Sequence, residues 1–309
     1  MSERGGILRL GTRGSLLAVS QAEWVARALR AQSSGLTIEL VRIRTSGDRI
    51  QGRSLAEIGG KGLFVKEIEE ALLAGTIDLA VHSMKDLPAA LAAGLGIAAV
   101  PRREDARDVL IAHGAGGLRE LPRGARLGTS SVRRRAFVRH ARPDVEVLAL
   151  RGNVDTRLAK WRAGEVDGLV LAAAGLRRLG ANVPEARIVP AEEMVPAIGQ
   201  GALAVEARLA DRWWPLAAAL GDRDSSDEVS AERAFLRALG GDCTTPIAAH
   251  ATAEQTALRL EAAIADPEGR RIVRDTRTAE RSQAEALGVS LAEELLARGG
   301  REILRALER

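Results

Sequence analysis

The chain has 309 residues, 46% of them hydrophobic and 28% charged, an ordinary globular composition that excludes disordered and fibrous classes and suffices for two or three cores. No stretch nears the roughly 20 consecutive apolar residues of a bilayer span, and charges fall within Met1 to Gly14 where a secretion signal would be apolar, so a cytoplasmic protein with no membrane partner is expected. Net charge is +4 with arginine in excess of lysine, and aromatic residues make up 2% with no Tyr; guanidiniums favour carboxylate or phosphate ligands, while the shortage of stacking rings argues against nucleic acid.

Strand-length apolar runs alternate with helical periods through roughly the first 220 residues, the pattern of α/β lobes on mainly parallel sheets. Strands are predicted at Ile7 to Gly11, Thr37 to Arg44, Ile77 to His82, Arg126 to Thr129, Val145 to Leu150 and Asp167 to Ala172. Helices are predicted at Leu16 to Ala31, Leu63 to Ala74, Val132 to Ala141, Val154 to Ala163 and Arg212 to Leu220. Arg9-Leu10-Gly11-Thr12 recurs as Arg126-Leu127-Gly128-Thr129, and Ala74-Gly75-Thr76-Ile77-Asp78 recurs loosely as Ala163-Gly164-Glu165-Val166-Asp167. The echoes keep their order but not their spacing, which points to two similarly built lobes and not to a tandem repeat. Pro101 to Asp105 and Pro190 to Gly201 read as crossings between the lobes, which would enclose a cleft. Thr45 to Gly62, rich in glycine and charge, reads as a surface loop, either a lid over that cleft or a plain connection. After Asp222 to Ser226 the pattern changes to helix, loop, three strands and two helices, with Asp266-Pro267-Glu268-Gly269 as a hairpin turn. The expected domains are residues 1–101 with 202–220, residues 106–195, and a smaller C-terminal α+β domain over 225–309 built on a three-stranded antiparallel sheet.

Gly11-Thr12-Arg13-Gly14-Ser15 lies where a strand gives way to a helix, so free N–H groups, the helix dipole, Arg13 and Ser15 can converge on an anion. Thr129, Ser130 and Ser131, followed by Arg133 and Arg134, repeat the arrangement in the second lobe. Taken singly, Ser15 and Ser131 read as N-caps and the arginines as solvated charges; the duplication points instead to a polyanionic ligand. Arg151 and Arg157 add two guanidiniums at the carboxyl end of the next strand, where open α/β sheets bind ligands, unless Asp155 or Glu165 pairs with them. His82-Ser83-Met84-Lys85-Asp86-Leu87-Pro88 holds the key carboxylate. Asp86 is either a turn residue before Pro88 or a carboxylate kept ionised by Lys85 to stabilise positive charge. A lone cysteine is usually a small buried hydrophobe. Cys243, in Leu239-Gly240-Gly241-Asp242-Cys243-Thr244-Thr245-Pro246, has glycines and polar neighbours that leave room for a bulky adduct, so it is a candidate attachment site or nucleophile. One cysteine allows no intrachain disulfide, and His82, His113, His140 and His250 show no ligand spacing, so no metal is expected.

In order along nearly the whole chain, these motifs resemble those of the porphobilinogen deaminase family. They are Gly11-Thr12-Arg13 with Ser15, Gly59-Gly60-Lys61-Gly62-Leu63-Phe64, His82 to Pro88, Gly128-Thr129-Ser130-Ser131-Val132-Arg133-Arg134 and Arg151-Gly152-Asn153-Val154. Val195-Pro196-Ala197 with Gly199-Gln200-Gly201-Ala202-Leu203, and then the Cys243 loop, complete the series. The resemblance implies two lobes like those of type II periplasmic binding proteins and a third domain that presents Cys243. It implies a transferase, monomeric, that joins four porphobilinogen molecules head to tail with loss of ammonia and releases hydroxymethylbilane for haem and related tetrapyrroles. A dipyrromethane cofactor, bound to Cys243 through a thioether, would prime the chain. Asp86 would be catalytic, facing the positive charge that develops on pyrrole nitrogens. Arg13, Ser15, Lys61, Ser83, Lys85, Thr129, Ser130, Ser131, Arg133, Arg134, Arg151, Arg157 and Gln200 would hold the acetates and propionates of cofactor and substrate. Two departures stand out: Glu57 replaces a lysine usual before the paired glycines, and Asp242 replaces a glycine common before the cysteine, where a carboxylate disfavours the thiolate. A non-catalytic two-lobed binding protein for a carboxylated small molecule would explain the lobes and arginines, but not Cys243, the Asp86 cluster or the third domain.

Overall fold

The structure, a computed structural model, describes residues 6–33, 35–49, 62–240 and 245–307. The elements follow in chain order as β1 (Ile7–Arg13), α1 (Leu16–Gln32), β2 (Thr37–Ile43), α2 (Ser46–Arg49), α3 (Lys66–Leu73), β3 (Leu79–Ser83) and β4 (Leu95–Ala99). Next come β5 (Asp108–Ala112), β6 (Arg126–Gly128), α4 (Val132–Ala141), β7 (Glu146–Leu148), α5 (Val154–Arg162), β8 (Gly168–Ala172), α6 (Ala173–Arg178) and β9 (Ala186–Val189). The chain ends with β10 (Leu203–Arg208), α7 (Trp214–Ala218), α8 (Arg223–Leu239), β11 (Ile247–Glu254), β12 (Ala257–Ala265), β13 (Ile272–Glu280), α9 (Ala284–Leu295) and α10 (Arg301–Ala306). Two units gather from it: Met1–Arg103 with Ala202–Ser226, and Glu104–Gly201 with Asp227–Arg309.

The first unit holds a five-stranded sheet in the order β2-β1-β3-β10-β4, and the second holds one in the order β7-β6-β8-β5-β9. Position by position the two are wound alike: three parallel strands, then one that runs against them, β10 or β5, then an edge strand, β4 or β9, that again runs with the first three. The mainly parallel sheets expected from the sequence are therefore mixed. The strands missing from that expectation, β4, β5, β9 and β10, are those joined by antiparallel pairing. They flank the crossings and lack the strand–helix–strand rhythm, and a short, wholly buried run such as β5 has no period to betray it.

Alternation along β3 distributes the first unit's core over both faces. Leu79 and Val81 meet Ala22, Val25, Ala26 and Leu29 of α1 on one face, while Ala80 meets Ile68 and Leu72 of α3 on the other. In the second unit Leu127 and Val170 pack with Phe137 and Val138 of α4, and Leu169 and Leu171 with Leu158 and Trp161 of α5.

Each pair of sequence echoes meets in space. Arg9 and Asp78 exchange backbone and side-chain bonds: Asp78 N donates to Arg9 O at 2.8 Å, and Arg9 N donates to Asp78 Oδ2 at 2.8 Å. The guanidinium grips the same carboxylate through Nε at 3.1 Å and Nη2 at 2.9 Å. Arg126 and Asp167 repeat the device with backbone bonds of 2.8 Å each way and side-chain bonds of 3.2 and 2.8 Å. In each unit a bidentate arginine ties the central one of the three parallel strands to the residue just before its neighbour, β3 or β8.

The C-terminal sheet is three-stranded and antiparallel, ordered β11-β12-β13, and shares a core with α4 through Ala248, Ala263 and Ile272. The turn at 266–269 forms as read, with Gly269 N donating to Asp266 O at 2.8 Å, and it sits on α4. His140 Nδ1 lies 2.9 Å from Gly269 O, Arg135 Nε donates to Pro267 O at 3.2 Å, and Arg139 pairs with Glu268. Gly269 has φ +72°, and a Cβ there would come within 2.6 Å of Ala136 O and His140 N, so the close approach requires glycine.

Candidate functional site

In the first unit, β1 and β3 end side by side and deliver Arg13, Ser15, Ser83 and Asp86 to one polar pocket, with Gln21 and Phe64 completing its wall. Ser15 caps α1, its hydroxyl accepting from Ala18 N at 3.2 Å, and Gln21 Nε2 donates to Ser83 Oγ at 3.0 Å. Asp86 ends a 3-10 turn, Met84–Asp86, tied down by Met84 N donating to Ala202 O at 3.0 Å and Leu87 N to Met84 O at 3.1 Å. The Asp86 side chain itself has no hydrogen-bond or ion-pair partner among the described residues, so its carboxylate is available to a ligand. Arg13 lies over the Phe64 ring at 4.0 Å and is paired with Asp48 at 2.5 Å.

In the second unit the ends of β6 and β7 carry the cationic cluster. Thr129 Oγ1 accepts from Ser131 N at 3.2 Å, Ser130 Oγ donates to Leu150 O at 2.8 Å, and Ser131 caps α4 by accepting from Arg134 N at 3.4 Å. Arg133, Arg134 and Gln200 are buried around Asp108, a carboxylate at 0% exposure. Arg133 Nη2 and Arg134 Nη2 each stand 2.8 Å from it, with Arg134 Nε at 3.0 Å and Gln200 Nε2 at 2.9 Å. Burial pushes the Asp108 carboxyl up, but the two guanidiniums outweigh it and hold it below the usual carboxylate range.

Arg151 and Arg157 have no carboxylate partner among the described residues, neither Asp155 nor Glu165 pairing with them, and Arg157 Nε is buried with no acceptor. Burial, then the nearby Arg134 and Arg151 charges, lower the Arg157 pKa to about 10. Gly152, at φ +119°, makes the turn between these two arginines. Four guanidiniums thus share one carboxylate here, an uncompensated charge that a polyanion would relieve.

The sequence missed three members of these clusters. Asp108 is an acid at the head of an apolar run, a signal that was legible but silent about partners. Arg178, at the end of α6, donates to Gly201 O at 2.6 Å, and burial brings its pKa down to about 10. Asp48 fell inside a loop with no distinguishing pattern. Cys243 and Lys61, with Glu57 and Asp242, lie outside the described residues. The helix that leads to Cys243, α8, stops at Leu239 with Gly240 in the left-handed region at φ +63°.

The strand ends thus present a partnerless carboxylate beside Arg13 in one unit and a surplus of guanidiniums in the other. Residues 8–214 match the family model for the porphobilinogen deaminase dipyrromethane cofactor binding domain, and residues 226–297 match that for the porphobilinogen deaminase C-terminal domain. The chain belongs to the porphobilinogen deaminase family. It is 51% identical to porphobilinogen deaminase of Syntrophotalea carbinolica over 97% of this chain and 96% of that one. Against the same enzyme of Moorella thermoacetica it is 49% identical over 97% and 96%. Solved structures similar to part of it include the BenM effector binding domain with benzoate, at TM-score 0.43 and 15% identity over 69% of this chain and 88% of that one. The substrate binding protein of an amino acid ABC transporter is another, at TM-score 0.38 and 13% identity over 70% and 91%. No helix among the described residues is long and apolar enough to cross a membrane.

Proposed function

We propose that the chain is a hydroxymethylbilane synthase, a cytoplasmic monomeric transferase that condenses four porphobilinogen molecules head to tail, releasing ammonia at each step. The observation that carries this reading is the unbalanced charge of the second unit. Among the described residues Arg151 and Arg157 have no carboxylate partner, and the Nε atoms of Arg157 and Arg133 are buried without acceptors. A dipyrromethane brings two acetates and two propionates, and this donor set fits them.

When bound through Cys243, that group supplies a nucleophilic pyrrole carbon from which the product grows. The chain's own residues bind, orient and balance charge. Arg151 and Arg157 take carboxylates directly. Arg133 and Arg134 are held in place by Asp108 and Gln200 and offer the rim of a rigid cationic floor, with Thr129, Ser130 and Ser131 as hydroxyl donors beside it. In the first unit Arg13, Ser15, Ser83 and Lys85 position the incoming ring. Asp86 faces the cation formed as the aminomethyl group loses ammonia, where an ionised carboxylate lowers the barrier by preorganised electrostatics. The domains proposed for these tasks are residues 1–101 with 202–220, residues 106–195, and residues 225–309.

The test is the intact mass of the purified protein beside that of Cys243→Ala, both produced with porphobilinogen available. A dipyrromethane increment on the parent protein and none on the variant is the expected result. A parent chain that porphobilinogen cannot load would overturn the reading in favour of a non-catalytic binding protein.

A further inference from the structure

The Arg13 subsite is already filled from within. Asp48 Oδ1 lies 2.5 Å from Arg13 Nη2, and Arg13 Nε points at Oδ2 from 3.5 Å. This is the side-on fork by which an arginine takes any carboxylate. The pair is about one-fifth exposed on each side, and Arg13 lines the same pocket as Asp86. Resting on the function proposed above, we infer that Asp48 is an internal stand-in for a substrate carboxylate, which the arriving substrate must displace from Arg13.

Three features make the exchange cheap and reversible. Asp48 keeps two donors after it lets go, Thr45 N at 3.2 Å and Thr45 Oγ1 at 2.8 Å on Oδ2, so release strands no carboxylate. Arg13 keeps the face of Phe64 at 4.0 Å, a contact indifferent to which carboxylate occupies the fork. Ser46, the first residue of α2, is tied elsewhere, its N donating to Glu67 Oε1 at 2.8 Å. Displacing Asp48 therefore does not release α2. A ligand lacking a carboxylate at this point has nothing to exchange and leaves the Arg13–Asp48 fork closed.

A scaffold role and a competitor role for Asp48 predict opposite changes. Asp48→Asn keeps an acceptor for Thr45 and removes the charge that holds Arg13. As a competitor's loss it lowers KM for porphobilinogen by about threefold to tenfold, the range of a partly exposed charge-assisted pair, with kcat within about twofold. The methyl ester at the same position, which leaves the fork closed, gains nothing, so the preference for porphobilinogen over that ester widens. Asp48→Ser, which still accepts from Thr45, is measured beside it. A KM that is unchanged or raised in the folded variants, or failure of both to fold, overturns the inference and leaves Asp48 as scaffold. If the parent chain makes no hydroxymethylbilane, it is the functional reading that fails; the rate at which phenylglyoxal modifies Arg13, expected to rise in both variants, then tests the pairing by itself. Equal modification rates would remove the pair as well.

Discussion

Asp108→Asn is the sharpest probe of how the second unit holds its cations. Asn keeps one acceptor, turns an amide NH2 toward a guanidinium, and leaves Arg133 and Arg134, 3% and 5% exposed, with no anion. Removing one partner of a buried pair costs about 3–5 kcal/mol because the other charge stays behind unpaired. The upper half of that range is expected here, since two cations 2.8 Å from the same carboxylate lose it together. Hydrogen exchange of the β5, β6 and α4 amides in increasing urea reads this unit by itself. A loss below about 1 kcal/mol, the value of a surface pair, would refute the view that Asp108 anchors the cluster. The pH dependence follows in sign. Asp108 has a folded pKa below the unfolded 3.8, so its contribution is complete above that value and fades as pH falls below it toward the folded pKa. Asp108→Asn should abolish that acid limb, leaving a flatter profile below pH 3.8 than the parent shows.

Asp86→Asn should fold with a melting curve like the parent's, because no described residue depends on its side chain, yet lose about 100-fold or more in kcat as an electrostatic group is removed; near-parental turnover would take Asp86 out of its role. Arg157→Met should gain about 1–2 kcal/mol in urea unfolding, since burial holds the guanidinium at a pKa near 10 instead of 12.5, while weakening cofactor loading; a destabilised variant would mean that Arg157 has a protein partner after all. Gly269→Ala should cost about 1–3 kcal/mol through its left-handed φ and its clash with the α4 backbone, read as faster exchange of the 266–271 turn, and parental exchange there would show that the turn is not seated on α4.

What the sequence disclosed and what it withheld divide along physical lines. Parallel strands and their helices were legible because each strand leads into an amphipathic period, and α4 was placed at Val132–Ala141 to the residue. The turn at 266–269 was legible from Asp-Pro-Glu-Gly chemistry alone. The echoes hinted at twin lobes, but not that Arg9 would reach Asp78 and Arg126 reach Asp167, because pairing is a property of sheet order. The strands β4, β5, β9 and β10 were missed because they lead into no helical period, and β5 is buried throughout. At the site, the sequence could nominate arginines near strand ends but could not rank them. Arg133 and Arg134 lie side by side in sequence with Arg135, yet the first two turn inward to Asp108 while Arg135 reaches Glu268 at 3.3 Å, and only helix phase separates the two outcomes.

The twin construction also shows how one scaffold supplies opposite chemistry. Both units fasten the base of the sheet with an arginine and an aspartate, so that fixture belongs to folding and leaves the opposite strand ends free to differ. In the first unit those ends present an acid, Asp86, on a half-buried turn. A carboxylate with no partner deep in the interior would take up a proton and lose its charge. In the second unit they present cations, and these can sink further because a guanidinium keeps its proton even when burial brings its pKa to about 10. Depth thus follows from the protonation chemistry of each group. Moving the acid into the buried position or a lysine into that of Arg157 would cost the charge in either case: Arg157→Lys should titrate below the range of an exposed lysine, visible as an alkaline fall in cofactor affinity that begins at lower pH than in the arginine protein. An affinity independent of pH in that variant would mean the position is wetter than its burial indicates.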